Sequence, residues 1–222
     1  MRITIPGGAG DAGAPMTRRP AAGGHSITVA FGRDPTRLEA VAREAGGRVA
    51  PDPTRAAADA DVVALAVPRG AAEAARAAAG GLSVEAVWDC TNPPSPDSGG
   101  LALGATAGGG EGVARRAPGA RVVEGAPPFA GPMAAVPPEA PLVPWGLPPP
   151  AVFVRGDDSG TRAAVPRPVR ALGADSVEAG PLAVARCAEP LGSLLAQLAY
   201  VRGMGPMIGA PLLRHASAGT AP

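Results

Sequence analysis

The residues best placed for chemistry come first in the chain. Gly7-Gly8-Ala9-Gly10-Asp11-Ala12-Gly13 directly follows the apolar run Arg2–Pro6. Gly8, Gly10 and Gly13 satisfy the pattern G-x-G-x-x-G. Between a strand and a helix, that pattern is a pyrophosphate cradle. Gly8 allows the tight turn, Gly10 lets backbone N–H groups reach the phosphates, and Gly13 lets the helix pack close to the strand. The phosphates then lie on the helix N-terminus, whose free donors and dipole favour negative charge. Ala9, Asp11 and Ala12 complete the loop. A purely structural glycine turn is the alternative.

The second apolar run ends Phe31-Gly32-Arg33-Asp34-Pro35, with Arg37 one helical turn beyond Arg33. A carboxylate at this strand end binds the ribose 2′-OH of NAD, whereas arginine suits the 2′-phosphate of NADP. Gly32, Arg33 and Arg37 therefore predict NADP(H). Asp34 could reverse that preference, or it could cap a helix starting at Pro35. Further along, Ala66-Val67-Pro68 and Thr91-Asn92-Pro93 end two more strand candidates. Ligands of open α/β sheets lie beyond the carboxyl ends of strands, so Val67, Pro68 and Asn92 are candidates to face the nicotinamide. Asn92 before proline is equally an ordinary turn former.

No catalytic side chain is assigned. Asp89 ends a strand, and Asp157-Asp158 read as a helix cap. Hydride transfer needs no such group, because the cofactor carries the chemistry. Cys90, Cys187, His25 and His215 stand apart in the sequence, without metal-ligand spacing. No metal is expected, and the cysteines read as small apolar residues.

Strands are predicted at Arg2–Pro6, Ser26–Phe31, Arg48–Ala50, Asp61–Val67, Ala86–Cys90, Arg121–Gly125 and Ala151–Arg155. Helices are predicted near Asp11–Ala22, Pro35–Ala45, Arg55–Ala60, Gly70–Ala79, Glu111–Ala117 and Ser159–Leu172. Such alternation reads as an α/β fold, a Rossmann-like doubly wound parallel sheet. Thr91–Gly110 and Ala126–Pro150 read as long loops. Pro181–His215 reads as helical, with Leu191, Leu194, Leu195, Leu198 and Val201 forming one apolar stripe. The expected division is a dinucleotide domain over 1–180, a small C-terminal helical subdomain over 181–216 and a loose tail over 217–222.

The chain has 222 residues, with 32 Gly and 28 Pro. That composition overlaps the range of disordered chains. Its 46% hydrophobic content and net charge of +1 oppose disorder. The same charge gives no footprint for nucleic acid. No apolar run is long enough for a membrane span. The start Met-Arg followed by a strand is not a secretory signal, so a cytoplasmic protein is expected.

With these residues in view, the chain resembles the NADPH-dependent F₄₂₀ reductases (NADPH:deazaflavin oxidoreductases) and, more distantly, pyrroline-5-carboxylate reductases. The carriers are GGAGDAG, ITVAFGRDP, ADVVALAVP, DCTNP, FVRGDD and the late run EAGPLAVARCAEPLGSLLAQLAYVRGMG. The resemblance implies Gly8, Gly10 and Gly13 at the pyrophosphate and Arg33 at the 2′-phosphate, with Val67, Pro68 and Asn92 bordering the nicotinamide. It implies coenzyme F₄₂₀ as a deazaflavin co-substrate, direct hydride transfer, and a homodimer through the C-terminal helices. The partners expected are thus small molecules, a dinucleotide and a redox acceptor. Glu124-Gly-Ala-Pro-Pro128 stands where the family has Lys-Ala-Phe-Asn-Thr on the substrate side. Arg69 stands where it often has Trp.

Pro15, Pro20, Pro166 and Pro168 fall inside the predicted helices. An interior proline costs about 3 kcal/mol, and a whole domain has a stability of about 5–15 kcal/mol. The alternative to an active reductase is therefore a non-catalytic or degenerate NADP-binding protein of the same fold.

Overall fold

A computed structural model describes residues 1–82, 86–91, 108–144 and 146–214. The chain alternates strand and helix from its start. In order come β1 (Arg2–Pro6), α1 (Gly13–Ala22), β2 (Ser26–Ala30), α2 (Pro35–Glu44), β3 (Arg48–Val49), α3 (Pro53–Ala58) and β4 (Val62–Leu65). Then follow α4 (Ala72–Ala78), β5 (Val87–Asp89), α5 (Gly109–Arg116), β6 (Val122–Glu124) and α6 (Ala130–Ala135). The last elements are β7 (Ala151–Gly156), α7 (Ser159–Ala164), α8 (Pro166–Ala171), β8 (Asp175–Glu178) and α9 (Ala185–Ala196). A wider helical turn, Gln197–Val201, extends α9.

The strands form one sheet in the order β3-β2-β1-β4-β5-β6-β7-β8. The order reverses between β1 and β4, which opens a crevice at their carboxyl ends. The sheet is parallel, as expected, except at one place: β7 runs antiparallel to β6. The 26-residue connection from β6 to β7 carries the short α6. Apolar side chains cover both faces. Trp88, Val29 and Met16 lie on one face, and Leu65, Val87 and Val113 on the other. That double burial accounts for the unbroken apolar run of β4.

Several expectations need correction. Strand β8 was not foreseen, because Asp175-Ser-Val-Glu178 is polar; it is a half-exposed edge strand. Helix α6 lies inside the predicted loop Ala126–Pro150. Helix does not reach His215: it ends at Val201, and residues 202–214 carry no helix. Instead this segment returns to the sheet, where Ala151 donates its N–H to the Ala210 carbonyl. The apolar stripe also divides, with Leu195 buried and Leu194 and Val201 exposed. The loop Thr91–Gly110 lies mostly outside the described residues, as do His215 and the tail 217–222.

The prolines are better placed than the predicted helix boundaries imply. Helix α1 begins at Gly13, so Pro15 falls in its first turn, where N–H groups have no intrahelical partner. The predicted helix Ser159–Leu172 breaks at Val165, which puts Pro166 and Pro168 in the first turn of α8. Pro20 remains interior, and Pro190 in α9 is a second interior proline. Asp-Pro pairs start α2 and α3, with Asp34 and Asp52 accepting from the N–H of Arg37 and Arg55.

One buried cation organises the loop side of the sheet. Arg19 of α1 is 2% exposed. Its guanidinium donates to the carbonyls of Val136, Pro137, Pro138, Ala140 and Leu172 at 3.1–3.5 Å. It thereby ties the chain after α6 and the end of α8 to α1. Hydrogen bonds to a charged group contribute about 1.5–3 kcal/mol each when buried. Arg19→Leu should lower the unfolding free energy in urea by about 3 kcal/mol and expose residues 136–142 to limited proteolysis; wild-type stability would refute this role.

Candidate functional site

The glycine loop is built around one close approach. Gly7 has φ +83, a conformation that glycine adopts without strain. Its carbonyl turns toward α1, and a Cβ at Gly13 would lie 2.0 Å from that oxygen. A Cβ at Gly8 would meet Val29 Cγ1 at 2.7 Å and Thr17 Oγ1 at 2.8 Å, and Thr17 Oγ1 donates to the Gly8 carbonyl. Gly10 differs. It is exposed, and a Cβ there would meet Gly7 O at 3.2 Å and Ala66 O at 4.0 Å. The fold needs Gly8 and Gly13 most, whereas a Cβ at Gly10 would press on the Gly7 carbonyl alone.

Ala9 is a core residue with its methyl buried, so it can offer a ligand its backbone and no side chain. Asp11 and Ala12 are exposed. The α1 N-terminus carries no side-chain cap and no acidic residue in its first turn. Its free donors and dipole are therefore open to an anion. Val67 is buried against Gly7, and Pro68 is exposed beside it.

At the end of β2, Phe31 takes φ 53. A Cβ at Gly32 would lie 2.0 Å from Leu38 Cδ1, so no larger residue fits there without a shift. Arg33 is exposed and has no ion-pair partner among the described residues. Asp34 caps α2 at 3.1 Å. Arg37 instead pairs with Asp11 at 2.8 Å, so the two predicted guanidinium groups are not equally free. Asn92 lies outside the described residues.

A second constellation was missed. Register places Leu65, Asp89, Glu124 and Arg155 in one row across β4, β5, β6 and β7. Asp89 and Glu124 are completely buried. Both Glu124 oxygens accept from Arg155, the Nε–H at 2.6 Å and an Nη2–H in a shorter bond. Glu189 of α9 is also buried, and its Oε1 accepts from the N–H of Gly109 at 2.5 Å and of Gly110 at 3.4 Å. Arg69 packs against Gly109 and Gly112, where any Cβ would collide with its guanidinium. Glu124, Arg155 and Glu189 line a small cavity with Pro127, Phe153 and Leu191. The signal for this cluster was slight: a carboxylate as the last residue of two apolar strands that prove to be neighbours.

Burial pushes the Glu124 carboxyl up to about 7, against the pull of Arg155. Burial also raises Asp89, opposed by Thr91, Arg69 and Arg155, and raises Glu189, opposed by the N–H groups of Gly109 and Gly110. Cys90 is driven well up by burial and by Asp89 and Glu124, so its thiol stays protonated.

The two kinds of glycine should separate on substitution. Gly10→Ala should keep the melting temperature within about 2 °C, since surface changes are usually within about 0.5 kcal/mol. Gly13→Ala should cost about 3 kcal/mol of stability by overpacking. Equal losses in the two variants would refute the distinction.

Residues 2–93 match the family described as NADP oxidoreductase coenzyme F420-dependent. No curated protein matches the chain. Among solved structures, one from Arthrobacter sp. is named as an F420-dependent NADP-reductase. It is 23% identical over 96% of this chain and 99% of that one, with a TM-score of 0.73. A hypothetical protein from Sinorhizobium meliloti is 23% identical over 97% and 96%, with a TM-score of 0.65. The 3-hydroxyisobutyrate dehydrogenase of Mycobacterium tuberculosis is 15% identical over 90% of this chain and 62% of that one, with a TM-score of 0.63. These likenesses establish the Rossmann-like fold of the whole, and over residues 2–93 the chain carries the pattern of the coenzyme F420-dependent NADP oxidoreductases.

Proposed function

We propose that the chain is an oxidoreductase that binds NADP(H) over the carboxyl ends of β1 and β2. It would pass hydride between NADP(H) and a deazaflavin, coenzyme F₄₂₀, or a flavin-like acceptor. One observation carries this reading. Gly10 is exposed beside a helix N-terminus whose donors no side chain caps, and a Cβ there would crowd the Gly7 carbonyl at the mouth of that cradle.

The residues present fit this cofactor. Gly8, Gly10 and Gly13, with the backbone of Ala9, Asp11 and Ala12, would hold the pyrophosphate. Arg33, without an ion pair among the described residues, would meet the 2′-phosphate beside Gly32, and Arg37 would join it by leaving Asp11. Asp34 is engaged as the cap of α2 through Oδ1, which orients its carboxylate toward that helix. Val67, Pro68 and Asn92 would border the nicotinamide. When bound, NADPH supplies the hydride, and the chain aligns the rings and excludes water. Residues 1–180 would form the dinucleotide part and 181–216 the acceptor side. The exposed Leu194, Tyr200, Val201 and Met204 suit a second copy of the chain. The relocated prolines weaken the case for a degenerate protein.

NADPH and NADH titrations followed by nicotinamide fluorescence test the cofactor assignment. Arg33→Glu should weaken NADPH by roughly tenfold to a hundredfold, from the loss of about 1.5–3 kcal/mol of charged hydrogen bonding, and should leave NADH nearly unchanged. Equal weakening of both would refute the phosphate contact. Anaerobic mixing of NADPH with oxidised deazaflavin tests the acceptor: loss of the deazaflavin's visible absorbance is expected, and no loss refutes it.

A further inference from the structure

The buried acids at the rim of β5 and β6 are not used by the dinucleotide loop. Glu124 has both oxygens committed to Arg155. Asp89 lies on the same face of the sheet as Glu124, one strand away. It is fully buried, yet its Oδ2 has no hydrogen-bond partner among the described residues. A buried carboxylate oxygen without a donor implies a proton held in the cluster or a donor on a ligand. Glu189 is the acid that reaches the cavity without a guanidinium on its oxygens; its Oε1 takes backbone N–H groups instead.

Charge points the same way. Asp89, Glu124 and Glu189 face Arg155 and Arg69, so full ionisation would leave an uncompensated negative charge in an apolar setting. The cluster therefore retains a proton near neutral pH, and that proton belongs to the interacting group as a whole. Glu189 faces Glu124 on β6, Arg155 on β7, Arg69 after β4 and the N–H groups of α5. The Glu111–Arg186 pair flanks them.

We propose that Glu189 is the proton donor of the acceptor site, which takes acceptors that gain hydride at a carbon and a proton at a conjugated nitrogen. This rests on the reductase reading above. The acceptor carbon takes the hydride pair of NADPH, leaving NADP⁺. The conjugated C=N π pair moves to nitrogen, which takes the proton of the Glu189 carboxyl. Water then returns a proton to the carboxylate.

Glu189→Gln keeps an Oε1 acceptor for Gly109 and Gly110 but cannot donate that proton. The probes are NADPH and oxidised deazaflavin. The wild-type rate should be full at low pH and fall as pH rises through the Glu189 carboxyl's titration, which burial places above the ordinary carboxylate range. In Glu189→Gln the rate should drop about a hundredfold, a typical general-acid contribution, and the pH dependence should flatten. NADPH affinity should not change. Without turnover, infrared titration of the wild type should reveal a protonated buried carboxyl lost near neutrality and diminished in the variant. If Glu189→Gln melts early, Glu189→Asp decides: a retained pH profile supports the donor, and a flat one overturns it. An unchanged rate and profile in Glu189→Gln, or no protonated carboxyl in the wild type, overturns the donor while the reductase reading stands. A wild type that binds NADPH but never reduces the deazaflavin overturns both.

Discussion

Glu124 and Arg155 meet in the core at the junction where the sheet changes from parallel to antiparallel. Breaking such a buried pair by removing one partner costs about 3–5 kcal/mol, because the other charge is left alone. The pair therefore fixes the register between β6 and β7. It also fixes where α5 and α9 can lie, since Gly110 packs on Glu124 and Glu189 reaches the start of α5. The Rossmann half and the C-terminal helix are joined through this charged centre as well as through apolar contact.

That centre lies in the same carboxyl-rim row that begins beside the glycine loop. Pro6 pairs with Ala30, and Leu65 leads to Asp89, Glu124 and Arg155. Neighbouring strands are about 4.8 Å apart, so the glycine loop and the acids are separated by a few strand widths. The sheet acts as a ruler with an uncapped helix end near one mark and a proton-holding pocket near another. Small residues make both possible: Gly13 lets α1 reach the Gly7 carbonyl, and Gly109 and Gly112 admit the Arg69 guanidinium.

The sequence carried the first mark plainly and the second hardly at all. Glycine spacing is a local pattern, and so are the Asp-Pro helix starts at Asp34 and Asp52, which the structure places where local chemistry directs. Strand β1 spans Arg2–Pro6, as its apolar run indicates. Glu124 and Arg155 are brought together by register, and Glu189 joins them from a helix far along the chain. No local period announces such a meeting. Strand β8 was hidden because an edge strand needs little apolar surface, and the break at Val165 because a proline's position within a helix depends on where that helix begins.

Arg19 holds the proline-rich stretch after α6 by its carbonyls and by no side chain. Proline lacks the backbone N–H but keeps the C=O. A grip through acceptors is therefore untouched by the substitution that most damages helices and sheets. Pro137 and Pro138 sit there with their carbonyls engaged, while Val136 and Ala140 still use their N–H groups on Pro132 and Pro137. The buried arginine thus holds a path in which two consecutive prolines cost no hydrogen bond to their anchor.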